Sequence, residues 1–155
     1  MLSNYELAHM AKKHKVKLNF CNYKDLMPKY KYGSFNGIIN MDSSPPDDGN
    51  VAGSHWIVLV IRNGHCFYCD SFGQLPPLEI ESFIKSQNCK HYGINKTTFQ
   101  HLDSTMCGFF SFGLLLALKR HKGSLYDVCD DYISIFDVKN TKLNDKIVMK
   151  FIDSF

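Results

Sequence analysis

Residues 54–70 read SHWIVLVIRNGHCFYCD, from Ser54 to Asp70. Two β-branched and aromatic runs, Ser54 to Arg62 and His65 to Asp70, flank Asn63-Gly64. That pair is strongly favoured in two-residue hairpin turns, because both central positions take positive φ. The stretch therefore predicts an antiparallel hairpin in which Arg62 faces His65, Ile57 faces Asp70 and Trp56 faces Ser71. Side chains alternate along a strand, so His55, Ile57, Leu59 and Ile61 share a face with Cys66, Tyr68 and Asp70. His55 is then the diagonal neighbour of Asp70, at a backbone separation of about 7–8 Å that a side-chain hydrogen bond can bridge. A carboxylate so placed fixes an imidazole's tautomer and stabilises its protonated form. A register slip of one residue would put the two groups on opposite faces.

Outward from the hairpin, the pattern switches between strand and helix. Phe35 to Asp42 reads as a short strand, and Ser43-Ser44-Pro45-Pro46-Asp47-Asp48-Gly49-Asn50 as the loop that follows it. Ser3-Asn4-Tyr5-Glu6 is a capping-box pattern, with Leu2 and Leu7 at hydrophobic-staple positions, so a helix should run from about residue 4 to Lys13. Pro76-Pro77 opens a helical stretch through Ile80, Phe83 and Ile84. Gly93 to Gln100 suggests another strand. Cys107 to Arg120 is a long apolar helix with basic residues at its end and Gly123 as a stop. Leu125 to Val138 and Leu143 to Phe151 suggest two more amphipathic helices. The expected class is α+β, a small and mostly antiparallel sheet flanked by helices.

Composition sets the outer bounds. The chain has 155 residues, 45% hydrophobic and 21% charged, with a net charge of +3. That suffices for one domain over residues 1–155 with a core that needs no metal or disulfide. The apolar content excludes a disordered tail. No apolar run reaches the roughly 18 residues of a membrane span, and no basic-then-apolar leader follows Met1. A soluble intracellular domain is expected, with its six cysteines reduced. Sixteen Lys against two Arg, with many Asn and Ile, suggests an AT-rich coding genome. A charge of +3 is too weak to argue nucleic-acid binding.

Cys107 is the candidate nucleophile. It stands where the loop Leu102-Asp103-Ser104-Thr105-Met106 meets the apolar helix. Exposed N–H groups and the helix dipole favour a thiolate at such a position. Gly108 removes the neighbouring side chain and would let a substrate backbone approach. Gln100, seven residues upstream, could supply an amide that joins the Cys107 N–H in an oxyanion hole. Each element alone has an ordinary structural explanation. Together they describe an acyl-transfer site of thiolate, imidazole, orienting carboxylate and oxyanion donors.

Three blocks carry a family likeness: Gly53-Ser54-His55-Trp56-Ile57, Tyr68-Cys69-Asp70-Ser71-Phe72-Gly73, and Gln100 with Met106-Cys107-Gly108-Phe109-Phe110. With Gly37-Ile38-Ile39-Asn40 ahead of them, they resemble the adenovirus-type (adenain-like) cysteine proteases. These share a clan with the SUMO- and ubiquitin-like-protein-specific proteases and the chain order His, Asp or Glu, Gln, Cys. The likeness covers roughly residues 35–118. It implies an adenain-like fold with the nucleophile at the N-terminus of a central buried helix. It also implies Cys107 as nucleophile, His55 as general base and then acid, Asp70 as orienter and Gln100 as oxyanion donor. Trp56 would pack beside the site and shape a channel for small residues such as glycine, with Gly108 beside it. The sequence departs from the adenovirus enzymes in its acid, Asp where they use Glu, and from the deconjugating branch in Met106 before the nucleophile.

The function so implied is a cysteine endopeptidase that cuts viral structural precursors at small-residue sites during virion maturation. The alternative is removal of ubiquitin-like or SUMO-like modifiers. No cofactor and no metal are expected. Adenovirus protease uses DNA and a short peptide as activators, and nothing in these residues transfers either requirement. The protein is expected to be a monomer off the membrane, in the virion and the infected cell's cytoplasm or nucleus. Cys66-Phe67-Tyr68-Cys69 mimics a zinc motif, yet residues three apart in a strand point to opposite faces. His101 and Asp103 read as solvent-facing loop residues. Lys12, Lys13, His14, Lys15 and Lys17 read as a solvated helix face.

Overall fold

The computed structural model describes residues 1–44 and 54–155. Most of the loop expected over residues 43–50 lies outside the described residues, as does Gly53. Five strands, β1 (Phe20–Tyr23), β2 (Ser34–Asn40), β3 (Trp56–Arg62), β4 (His65–Cys69) and β5 (His91–Ile94), form one sheet in that order. The helices are α1 (Asn4–Lys13), α2 (Leu78–Ser86), α3 (Cys107–Arg120), α4 (Leu125–Ser134) and α5 (Asn144–Asp153).

The central hairpin forms in the expected register, with Arg62 opposite His65 and Val58 opposite Cys69. Asn63 and Gly64 take φ of 49° and 81°, the positive values that this turn requires. β2 pairs antiparallel with β3, whereas the edge strands β1 and β5 pair in parallel with β2 and β4. Alternation is also as expected. Ile57, Leu59, Ile61, Cys66 and Tyr68 pack with Ile80, Phe83 and Ile84 of α2. Trp56, Val58, Val60, Phe67 and Cys69 face the main core, built around α3 with α1, α4 and α5. β3 is thus covered on both faces, which accounts for its unbroken apolar run. Each large side chain so buried contributes about 1.5–3 kcal/mol.

α1 spans the predicted residues, and both halves of its capping box form: Glu6 N–H donates to Ser3 Oγ at 3.2 Å and Ser3 N–H to Glu6 Oε1 at 3.0 Å. α3 likewise matches its expected bounds, although it ends before Gly123, which serves the turn into α4.

Four expectations need correction. The strand predicted over Gly93–Gln100 is only β5, and it ends at Ile94 because Asn95 turns its amide inward to bond Asp70 and Thr97. The helix predicted to Val138 stops at Ser134, and the Asp137 carboxylate accepts Lys139 and Asn140 N–H in the turn that follows. β1 has no counterpart among the predicted strands, since three half-buried residues and one buried one carry too little alternation to declare one. The cysteines are not all reduced: Cys66 and Cys89 form a disulfide joining β4 to the connection between α2 and β5. Cys66 points away from Cys69, as the strand period requires, and toward the α2 face where Cys89 arrives.

Candidate active site

β3 and β4 deliver two of the candidate residues from adjacent strand ends. His55 immediately precedes β3, and its carbonyl accepts Met41 N–H at 2.9 Å, prolonging the β2–β3 pairing. Asp70 immediately follows β4 and is fully buried. Asn95 holds its backbone from both sides: Asp70 N–H donates to Asn95 Oδ1 at 3.0 Å, and Asn95 Nδ2 donates to Asp70 O at 2.7 Å. The Asp70 Oδ1 atom accepts Phe72 N–H at 2.8 Å and lies 2.7 Å from His55 Nε2. Phe72 in turn stacks on the His55 ring, with centroids 4.7 Å apart. The expected His–Asp pair is therefore formed, and Phe72 limits rotation of the imidazole.

Cys107 opens α3 and is buried. Its sulfur accepts the Trp56 N–H at 3.3 Å, which places it beside the residue that follows His55. Burial alone would depress the His55 pKa, but the Asp70 hydrogen bond, the Cys107 sulfur and their charges outweigh it and push it up to about 9. His55 Nε2 is occupied by Asp70, whereas Nδ1 is buried and has no hydrogen-bond partner among the described residues. Nδ1 is therefore the ring nitrogen whose hydrogen-bonding capacity is unused. At the start of α3, Met106 provides no side-chain cap, so the first N–H groups of the helix retain their donor capacity.

Gln100 is buried, and its amide is fixed at both ends. Its Oε1 accepts the Ser71 hydroxyl, and its Nε2 donates to Ser104 O at 2.9 Å. Ser71 O also accepts Phe99 and Gln100 N–H, each at 3.0 Å. The amide nitrogen therefore faces the loop that leads to Cys107, with one of its two protons still unassigned. Sequence reasoning does not single out Ser71, Asn95, Phe72 or Ser104. Ser71 and Phe72 sit inside the motif that contains Asp70, and no spacing announces Asn95 or Ser104.

Trp56 and Gly108, the two predicted substrate-contact residues, are both buried. Trp56 is fully buried: its indole N–H donates to Leu2 O at 2.8 Å, and Ser111 Oγ donates to its carbonyl at 3.2 Å. Above Gly108, the place of a Cβ lies 3.1 Å from Leu2 Cδ1 and 3.5 Å from Leu7 Cδ2. Gly108 thus admits the N-terminal residues over α3, rather than opening a path for a substrate backbone. His101 and Asp103 bond within their own loop, with Asp103 almost fully exposed. The sulfurs of Cys66 and Cys69 cannot share an ion, because Cys66 is joined to Cys89.

No family model matches the chain. A protein of Acanthamoeba polyphaga mimivirus named "Putative thiol protease R355" is 34% identical over 77 residues, covering 43% of this chain and 25% of that protein. Among solved structures, the ASFV pS273R protease aligns over 79% of this chain and 57% of its own, at 15% identity and a TM-score of 0.51. Its selenomethionine form aligns over 63% and 38%, at 20% identity and a TM-score of 0.45. The chain therefore spans a quarter of the curated relative and little more than half of the solved one. The chain has the fold of the ASFV pS273R protease, the α+β arrangement that the adenovirus-type resemblance implies.

Proposed function

We propose that the chain is a viral cysteine endopeptidase that cuts structural precursor proteins at small-residue sites during virion maturation. The observation that carries this reading is the convergence of His55, Asp70 and Cys107 from separate elements. A 2.7 Å His–Asp contact meets a sulfur held at 3.3 Å by the residue next to the histidine. In this reading, the Cys107 sulfur attacks the scissile carbonyl and His55 takes up the thiol proton. A protonated His55 then delivers its proton to the leaving amine, and water completes hydrolysis of the thioester. Asp70 keeps the imidazole oriented and stabilises its charged form. Gln100 and the first N–H groups of α3 receive the negative oxygen of the tetrahedral intermediate. The substrates are viral precursor proteins, the working form is a monomer, and the sites of action are the virion and the infected cell.

Incubating the protein with the precursor proteins encoded beside it, followed by mass spectrometry of new termini, tests the reading. Wild type should create new termini next to small residues, and Cys107→Ser should create none. Cleavage by Cys107→Ser at the wild-type rate would end the proposal. Ubiquitin or SUMO carrying a C-terminal electrophile separates maturation from deconjugation: rapid labelling of Cys107 would move the substrate to modified host proteins.

A further inference from the structure

The first turn of α5 reaches the segment from Phe99 to Cys107 at two points, Phe99 and Ser104. Asn144 is fully buried; its amide donates to Phe99 O at 2.7 Å and to Asp137 O at 2.8 Å, and its Oδ1 accepts Asp137 N–H at 2.8 Å. One residue on, Asp145 Oδ1 accepts the Ser104 hydroxyl at 2.7 Å. Ser104 is engaged at every polar atom. Its Oγ accepts Met106 N–H at 3.1 Å, its carbonyl accepts Gln100 Nε2–H at 2.9 Å, and its N–H donates to His101 O at 2.9 Å. A serine hydroxyl has one proton, so donating it to Asp145 leaves the oxygen an acceptor toward Met106. Asp145 thus orients the residue that holds both the Gln100 amide and the backbone just before Cys107.

We propose that Asp145 is a positioning residue for acyl transfer, holding Ser104 so that the Gln100 amide and the start of α3 converge on one oxygen. The inference rests on the reading of Gln100 as an oxyanion donor. Asp145 touches neither Cys107 nor His55 by hydrogen bond, so its effect belongs only to steps in which an oxyanion develops.

Two small reagents separate such steps. With p-nitrophenyl acetate, the Cys107 sulfur bonds to the carbonyl carbon as the C=O π pair moves onto oxygen. That pair then returns, the ester C–O bond breaks, and p-nitrophenolate leaves a thioester behind. With iodoacetamide, the sulfur displaces iodide in one step and no oxyanion forms. In both cases the thiol proton passes to His55. Each rate is followed on the Cys107 peptide by mass spectrometry, using the full chain. Asp145→Ala should slow acylation about tenfold and leave alkylation within about twofold. Ser104→Ala, which removes the same bond from the other side, should change the ratio in the same way. Asp145→Asn retains an acceptor oxygen and should restore acylation to within about twofold of wild type.

Gln100→Ala tests the underlying reading separately and should slow acylation about 10²-fold. Adding Asp145→Ala to it should cost less than about twofold more, because the two act through one group. If Gln100→Ala leaves acylation untouched, the oxyanion reading fails and the role of Asp145 falls with it. If Gln100→Ala slows acylation but Asp145→Ala does not, the positioning role alone is overturned. Equal slowing of acylation and alkylation by Asp145→Ala overturns it too.

Discussion

His55 is the residue on which opposing effects are most evenly matched. Burial favours its neutral form, whereas the Asp70 carboxylate 2.7 Å away and the Cys107 sulfur favour the charged one, and the balance lies at about 9. A folded-state pKa above the free value of 6.5 means that the folded protein holds this proton more tightly than the unfolded chain. The stability gained is present in full below about pH 6.5 and is lost as pH rises through about 9. Thermal unfolding across pH 6–10 should therefore show the midpoint falling over that window. Asp70→Asn keeps the shape but removes the charge. It should shift the decline toward pH 6.5 and slow Cys107 acylation by about 10²–10⁴. An unaltered decline near pH 9 in that variant would assign the raised pKa to something other than Asp70.

At the scale of elements, α3 is gripped from two sides by contacts at glycines, with unequal room to adjust. On the α4 side, Tyr132 donates its hydroxyl to Phe110 O at 2.7 Å, and the same hydroxyl occupies the space of a Cβ on Gly113. Both residues are buried, so neither can move without breaking that bond. Gly113→Ala should destabilise by about 1–3 kcal/mol in urea unfolding. Gly113→Ala combined with Tyr132→Phe should lose less than the two single changes added together, since the hydroxyl is the obstacle. On the α1 side the neighbour of Gly108 is the half-buried Leu2 side chain, 3.1 Å from where an added methyl would sit. That contact is apolar and no hydrogen bond is lost when the leucine side chain gives way, so Gly108→Ala should cost under about 1 kcal/mol by the same measurement. A larger loss at Gly108 than at Gly113 would reverse this ranking.

At the scale of the molecule, the sheet separates two environments for the cysteines. Cys66 and Cys89 are joined on the α2 face, while Cys69, Cys107 and Cys129 belong to the main core on the other side. Burial pushes the Cys129 thiol up to about 12 and that of Cys69 well above its ordinary value. Cys21 is likewise raised to about 12. The disulfide closes a sequence separation of 23, for which unfolded-chain restriction amounts to about 3 kcal/mol. Cys89→Ala should lower stability by roughly that amount. It should leave iodoacetamide alkylation of Cys107 unchanged, because the sheet lies between them. Titration of the denatured wild-type chain without reductant should find four thiols, Cys21, Cys69, Cys107 and Cys129. Six would remove the disulfide.

Much of this architecture is legible in the sequence because it rests on short-range physics. A two-residue Asn63-Gly64 turn fixes strand register, and register with a period of two brings His55 to Asp70 without knowledge of the rest of the fold. Capping residues and an unbroken apolar run define α1 and α3 in the same local way. Other features depend on which distant segments the packed core brings together. The parallel edges β1 and β5, the Cys66–Cys89 bond and the cover of Leu2 over Trp56 and Gly108 have no local signature. Nor does the path from Asp145 through Ser104 and Gln100 to Ser71, whose members lie 41, 4 and 29 residues apart in turn. From the sequence by itself came the hairpin, the His55–Asp70 pair and the apolar helix that opens at Cys107, because turn chemistry and side-chain period act over a few residues. The choice of Gln100 leaned on the family resemblance. Tertiary structure alone decided how those groups are held and covered, because contacts across long separations are selected by the packing of the whole chain.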